Sequence, residues 1–236
     1  MVRARYGTGD FLKLNKRNCE VRIRLTPCGT DFLEVHFRIG GDNHYFRPSG
    51  LMGSQFSAFI WATYILYEEE QWPHLFYFRG DKDYRCEYSD RDEGETVTTA
   101  DVAWDEEGRF VKIRLTRKGK KRTPMAQGEA DPVEVELDTC YGHFHYTIDG
   151  RDLCYAVARG CTEALKKYGF QGYIKSTGSQ YYGDSISMNE LLFIKAYALD
   201  ALEARETYLV YRRPNGWEEA EGSSFEKEIE LLMFDM

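Results

Sequence analysis

The stretch Phe110-Val-Lys-Ile-Arg-Leu115 alternates apolar with basic side chains from Val111 onward. That is the period-two pattern of a strand with one face on a core and the other in water. Two earlier segments read the same way: Cys19-Glu-Val-Arg-Ile-Arg-Leu25 and Phe32-Leu-Glu-Val-His-Phe-Arg-Ile39. Gly29-Thr30 between them predicts an antiparallel hairpin, and Gly40-Gly41 predicts a second reversal into His44-Tyr45-Phe46. Further strands are expected at 75–79, 84–88, 96–104, 133–138, 142–148 and 208–212. Residues 117–132, with Arg-Lys-Gly-Lys-Lys-Arg-Thr-Pro and then Gln-Gly-Glu-Ala-Asp-Pro, carry no periodicity and read as an exposed loop.

Helices punctuate this pattern. Phe56, Phe59, Ile60, Trp61, Tyr64, Ile65 and Leu66 cover more than one face of a helix over roughly 55–70, which predicts a central position. A second helix, about 151–168, aligns Leu153, Val157, Cys161, Ala164, Leu165 and Tyr168, and Gly169 closes it. A third, about 188–205, opens on the capping box Ser187-Met-Asn-Glu190. A short C-terminal helix aligns Phe225, Ile229 and Leu232. The fold class is therefore α+β, a largely antiparallel sheet with two or three helices packed on it. The chain reads as one domain over 1–236, and any division into two lobes would fall near 117–132. His36-Phe-Arg-Ile-Gly-Gly-Asp42 is faintly echoed by His145-Tyr-Thr-Ile-Asp-Gly-Arg-Asp152, as a duplicated unit would produce.

Composition narrows the class. Of 236 residues, 42% are hydrophobic and 15% aromatic, which suits a packed core and excludes a disordered chain. Residues 48–67 carry no charge, but only 56–67 are densely apolar. Twelve helical residues reach about 18 Å against a hydrocarbon layer of roughly 30 Å, so no membrane span is read there. The basic start Met1-Val-Arg-Ala-Arg5 is followed by Gly7, Gly9 and Asp10 instead of the apolar run of a secretory signal. Six cysteines, at 19, 28, 86, 140, 154 and 161, are scattered singly. The expectation is a cytoplasmic protein with reduced thiols.

Catalytic signatures are absent from the sequence: it has no G-x-S-x-G, no P-loop, no H-E-x-x-H and no paired C-x-x-C. His143-Phe-His145 places two imidazoles on one side of a strand, and metal-assisted hydrolysis through His143 and His145 is the alternative to a non-enzymatic reading. No further ligands are identifiable, so neither a metal nor another cofactor is assigned. His36 and His44 flank a turn and would face each other across a hairpin.

Charge is more informative. The net charge is −8. Residues 109–122 hold eight bases and no acid, residues 81–107 hold eleven acids against three bases, and residues 217–236 hold seven acids against one base. Nucleic-acid binders are basic as whole domains, and the isoelectric point here is near 5.3, so nucleic acid is set aside as the main ligand. Acidic surfaces instead steer basic proteins into encounter. The sequence thus predicts a protein-binding module with a basic partner, an inhibitor or immunity-type protein being the concrete form. Its partner-binding residues are Asp101, Asp105, Glu106 and Glu107, with Tyr181, Tyr182 and Asp184 as a second patch where aromatic anchors sit among charges. An oligomeric assembly protein is a third reading.

Overall fold

The computed structural model describes residues 21–28, 33–47, 55–67, 86–91, 95–106, 109–118, 131–177, 188–198, 229 and 231–233. Strands β1 (Val21–Pro27), β2 (Leu33–Ile39) and β3 (Asp42–Phe46) form a three-stranded antiparallel meander. Helix α1 (Gln55–Ile65) follows. Strands β4 (Cys86–Arg91), β5 (Glu95–Glu106), β6 (Arg109–Lys118), β7 (Pro132–Thr139) and β8 (Gly142–Asp149) form a second antiparallel sheet in chain order. Helices α2 (Gly150–Thr177) and α3 (Met188–Ala198) complete the order. The α+β class holds, with its strands divided between two sheets.

Alternation decides which side of each strand is buried. Val21, Ile23 and Leu25 of β1, and Leu33, Val35, Phe37 and Ile39 of β2, are at most 5% exposed. Val111, Ile113 and Leu115 of β6, and Val133, Val135 and Leu137 of β7, are buried on the corresponding side. All of them join one continuous core with α1, α2 and α3. Helix α1 is enclosed as its all-round apolarity predicts: Ser57, Phe59, Ile60, Ala62 and Thr63 are all buried.

The two meanders are the same unit twice. Val21-Arg-Ile-Arg-Leu-Thr26 in β1 matches Val111-Lys-Ile-Arg-Leu-Thr116 in β6. Pairing matches residue for residue: Arg22↔Arg38 through Pro27↔Leu33 corresponds to Lys112↔Asp138 through Arg117↔Val133. The next hairpins also share a register, with Ile39↔Asp42 and Val35↔Phe46 set against Thr139↔Gly142 and Val135↔Tyr146. The echo read between 36–42 and 145–152 is therefore out of step. Gly40-Gly41, with φ of 56° and 94°, turns a hairpin, whereas Asp149-Gly150 opens a helix: Asp149 Oδ1 accepts the Arg151 N–H at 2.8 Å as its cap.

Edge strands β3 and β8 bring the two units together. The rings of His44 and Phe144, which occupy equivalent positions, meet edge to face at 4.7 Å. Equivalent residues touching one another is the mark of an approximate two-fold axis. His44 also donates from Nε2 to the Tyr146 hydroxyl at 2.8 Å, and that hydroxyl donates to Asp42 Oδ2 at 2.9 Å. His44 therefore does not face His36 across the hairpin. In register His36 opposes Tyr45 and His44 opposes Phe37, so the two imidazoles leave opposite sides of the sheet.

Helix α2 of the second unit packs on β1 of the first. The approach is close enough that a Cβ on Gly160 would lie 2.6 Å from the Ile23 carbonyl oxygen. Gly169, with φ 66°, breaks the helix as expected, and the chain resumes helical geometry to Thr177. Among the described residues, no helix is long and apolar enough to cross a membrane. Cys28, Cys140, Cys154 and Cys161 are free thiols. The strands read at 75–79 and 208–212, the cap Ser187, and Phe225 lie outside the described residues. Of the C-terminal stripe, Ile229 is 41% exposed and Leu231 is the buried residue.

Candidate functional site

The five-stranded sheet buries one face and turns the other outward. On β6 the outward positions are Lys112, Arg114, Thr116 and Lys118, on β7 Glu134, Glu136 and Asp138, and on β8 His143, His145 and Thr147. Register sets these charges in rows. Arg114 stands opposite Asp101 on one side and Glu136 on the other, and Glu136 opposes His145. Lys112 opposes Asp138, which opposes His143. The basic strand β6 thus lies between Asp101 of the acidic stretch on β5 and the acids of β7. Opposite charges directly across a ladder stabilise a sheet by roughly 0.2–1 kcal/mol per pair.

The predicted partner-binding residues fall as follows. Asp101, Asp105 and Glu106 all lie on β5, opposite Arg114, Phe110 and Arg109 respectively. Glu107, Tyr181, Tyr182 and Asp184 lie outside the described residues. Strand alternation puts Asp101 and Asp105 at positions of one side of β5 and Glu106 at a position of the other.

His143 and His145 do share the outward side of β8, and both are exposed. The His143 imidazole donates from Nδ1 to the Asp138 carboxylate, and this bond raises the pKa of His143 above its usual value. Among the described residues, no three His, Cys, Asp or Glu side chains converge as metal ligands.

Beneath the sheet is a buried polar cluster that the sequence reading missed. Arg117, counted there with the exposed basic run, is 3% exposed, and its Nε donates to Asp131 Oδ1 at 2.8 Å. The Tyr197 hydroxyl donates to Asp131 Oδ2 at 3.2 Å, and the Gly150 N–H donates to the Asp131 carbonyl at 2.6 Å. Arg117 also reaches the Leu66 carbonyl and lies 4.6 Å from the centre of the Tyr67 ring. Burial opposes the charge on Arg117, but the carboxylate beside it prevails and its pKa is raised. Burial, then Asp131, pushes the Cys154 thiol well up, so it is held as an inert thiol. The cluster joins the end of β6, the start of β7, the end of α1, the start of α2, and α3. With Asp131 only 1% exposed, it ties these elements together from within the core. Its one signal in sequence is that Arg117 continues the buried alternation of Val111, Ile113 and Leu115.

Lys195 on α3 is fully buried, and its ammonium donates to the Leu232 carbonyl at 3.0 Å and to Thr162 Oγ1 at 3.4 Å. Lys166 on α2 donates to the Met233 carbonyl. Two cations therefore bond the main-chain carbonyls of the helical residues Leu232 and Met233. Compared with known protein families, curated proteins and solved structures, the chain matches none.

Proposed function

We propose that this protein is a non-enzymatic binding module that captures a basic protein, most concretely an inhibitor or immunity-type protein that neutralises a cationic toxin or nuclease inside the cell. The observation that carries this reading is the broad outward face of the five-stranded sheet. The core and the described helices lie on its other side, which leaves this face to charged and polar side chains among the described residues. Lys112, Arg114 and Lys118 balance Glu134, Glu136 and Asp138 there, and β5 adds Asp101 and Asp105 at positions alternating with buried Ala100 and Val102. The surplus is acidic, which favours a cationic partner and repels wrong ones. The exposed free thiol of Cys140 suits a reducing compartment.

The test is affinity capture from the native host with wild type and with Asp101→Lys/Asp105→Lys. A stoichiometric basic protein, released by raised salt and lost with the double variant while that variant still unfolds cooperatively, is the expected outcome. Capture of the same protein by both forms would remove this face from the reading.

A further inference from the structure

The outward face of the β1–β2–β3 sheet is chemically unlike its counterpart. Its exposed side chains are Arg22 and Arg24 on β1, His36 and Arg38 on β2, Asn43 and Tyr45 on β3, and Arg47 just beyond. Among the described residues, half-buried Glu34 is the one acid at these outward positions. Arg22, Arg24 and Arg38 have no hydrogen-bond or ion-pair partner among the described residues. Arg22 stands directly opposite Arg38, an arrangement that costs stability. The equivalent pair in the second unit is Lys112 opposite Asp138. One copy of the unit cancels its charge and the other concentrates it.

Register also arranges the rings. Arg24, His36 and Tyr45 form one row across the three strands. The rings of His36 and Tyr45 meet edge to face at 4.7 Å, and Tyr45 is 46% exposed. Arg22 and Arg38 lie in the next row on one side, and Arg47 lies two residues along on the other. We propose that this face binds single-stranded nucleic acid, with bases stacked on Tyr45 and His36 and phosphates held by Arg22, Arg24, Arg38 and Arg47. Sheet faces that stack bases on exposed rings and hold phosphates with arginine are an established route to single strands. Guanidinium groups suit phosphate oxygens because two parallel N–H bonds can form.

An acidic protein segment would satisfy the arginines equally well but has no use for the paired rings, so the rings favour nucleic acid. The chain-wide isoelectric point argued against such a ligand. It averages two unlike regions, since residues 1–50 carry +4 and the remainder −12. At physiological salt a charge acts over roughly 8 Å, so the local arginines set the potential at this face.

The probes are fluorescein-labelled oligouridylate and oligothymidylate of about 12 nucleotides, a length that spans a typical site, read by fluorescence anisotropy with the full chain. Binding is expected to weaken with salt at a logarithmic slope of about −2 to −3, as three or four phosphate contacts require. Arg22→Gln/Arg38→Gln should flatten that slope by about 1.4, or two contacts. Tyr45→Ala should weaken binding about fivefold or more at unchanged slope, with Tyr45→Phe close to wild type. Lys112→Gln, at the position equivalent to Arg22, should leave binding unchanged. Failure of both oligonucleotides to bind saturably would overturn the proposal. So would binding indifferent to these variants, or a polyglutamate peptide of equal length competing as well as the oligonucleotides.

Discussion

The β1–β2–β3 and β6–β7–β8 meanders share a register and a buried sequence pattern, yet their outward faces have diverged. Inside, Val21, Ile23 and Leu25 match Val111, Ile113 and Leu115, because both copies must fill the same core from the same alternation. Outside, Arg22 opposes Arg38 where Lys112 opposes Asp138. At the strand ends, Pro27 occupies the position that holds Arg117 in the second copy. The core constrains one face of a strand and leaves the other open to divergence. The second copy has used that freedom for charge pairing, whereas the first has kept Arg22, Arg24 and Arg38 without partners among the described residues; on the buried side the second copy alone carries the Arg117 tie.

The largest test of this contrast is Asp131→Ala. It leaves Arg117 buried without its carboxylate, an arrangement the first copy avoids by having Pro27. Breaking a buried pair in this way costs about 3–5 kcal/mol, so a marked fall in the urea midpoint is expected. Arg117→Leu/Asp131→Leu should recover most of that loss, because an apolar pair removes the buried charge instead of stranding it.

Next in size is Gly160→Ala. Alanine ordinarily favours a helix over glycine by about 1 kcal/mol. Here the added methyl meets the Ile23 carbonyl at 2.6 Å and must push α2 off β1. Overpacking of this kind costs about 1–3 kcal/mol, so the melting temperature should fall rather than rise.

Exchanging the outward pairs sharpens the comparison through its sign. Arg38→Asp gives the first copy the pairing of the second and should stabilise by about 0.2–1 kcal/mol. Asp138→Arg should destabilise by a similar amount. Denaturation midpoints that move in the same direction for both would refute the assignment of charge pairing to one face only.

The smallest effect separates the two hairpins by pH. His143 has a raised pKa because of Asp138, and His44 a lowered one because burial outweighs the nearby Asp42. The His143 contribution is therefore fully present below the ordinary histidine value of about 6.5 and lost as pH rises through its raised pKa. For His44 the sign reverses, since protonating a desolvated ring opposes folding as pH falls below that value. Imidazole titrations by NMR should show the two curves on opposite sides of 6.5, and Asp138→Asn should return His143 toward it.

The α+β class, the β1–β2 and β2–β3 hairpins, the enclosed first helix and the break at Gly169 were legible in the sequence. Each rests on contacts between near neighbours, or on a period that an element imposes on its own residues. Asp101, Asp105 and Glu106 could be read as acidic but not as neighbours of Arg114, Phe110 and Arg109, because strand register is a long-range choice. The same limit concealed the repeat. Val21–Thr26 and Val111–Thr116 are ninety residues apart, and their equivalence becomes plain only when both partner strands are in place.

Which residues are apolar, where the chain turns and what total charge it carries follow from composition and local period alone. That Arg117 is sealed with Asp131, that His44 bonds Tyr146 across two sheets, and that one strand face is neutralised while its twin is left cationic emerge from packing. Burial and pairing depend on what the rest of the chain brings to a position, and strand pattern fixes the side a residue faces without fixing its partner.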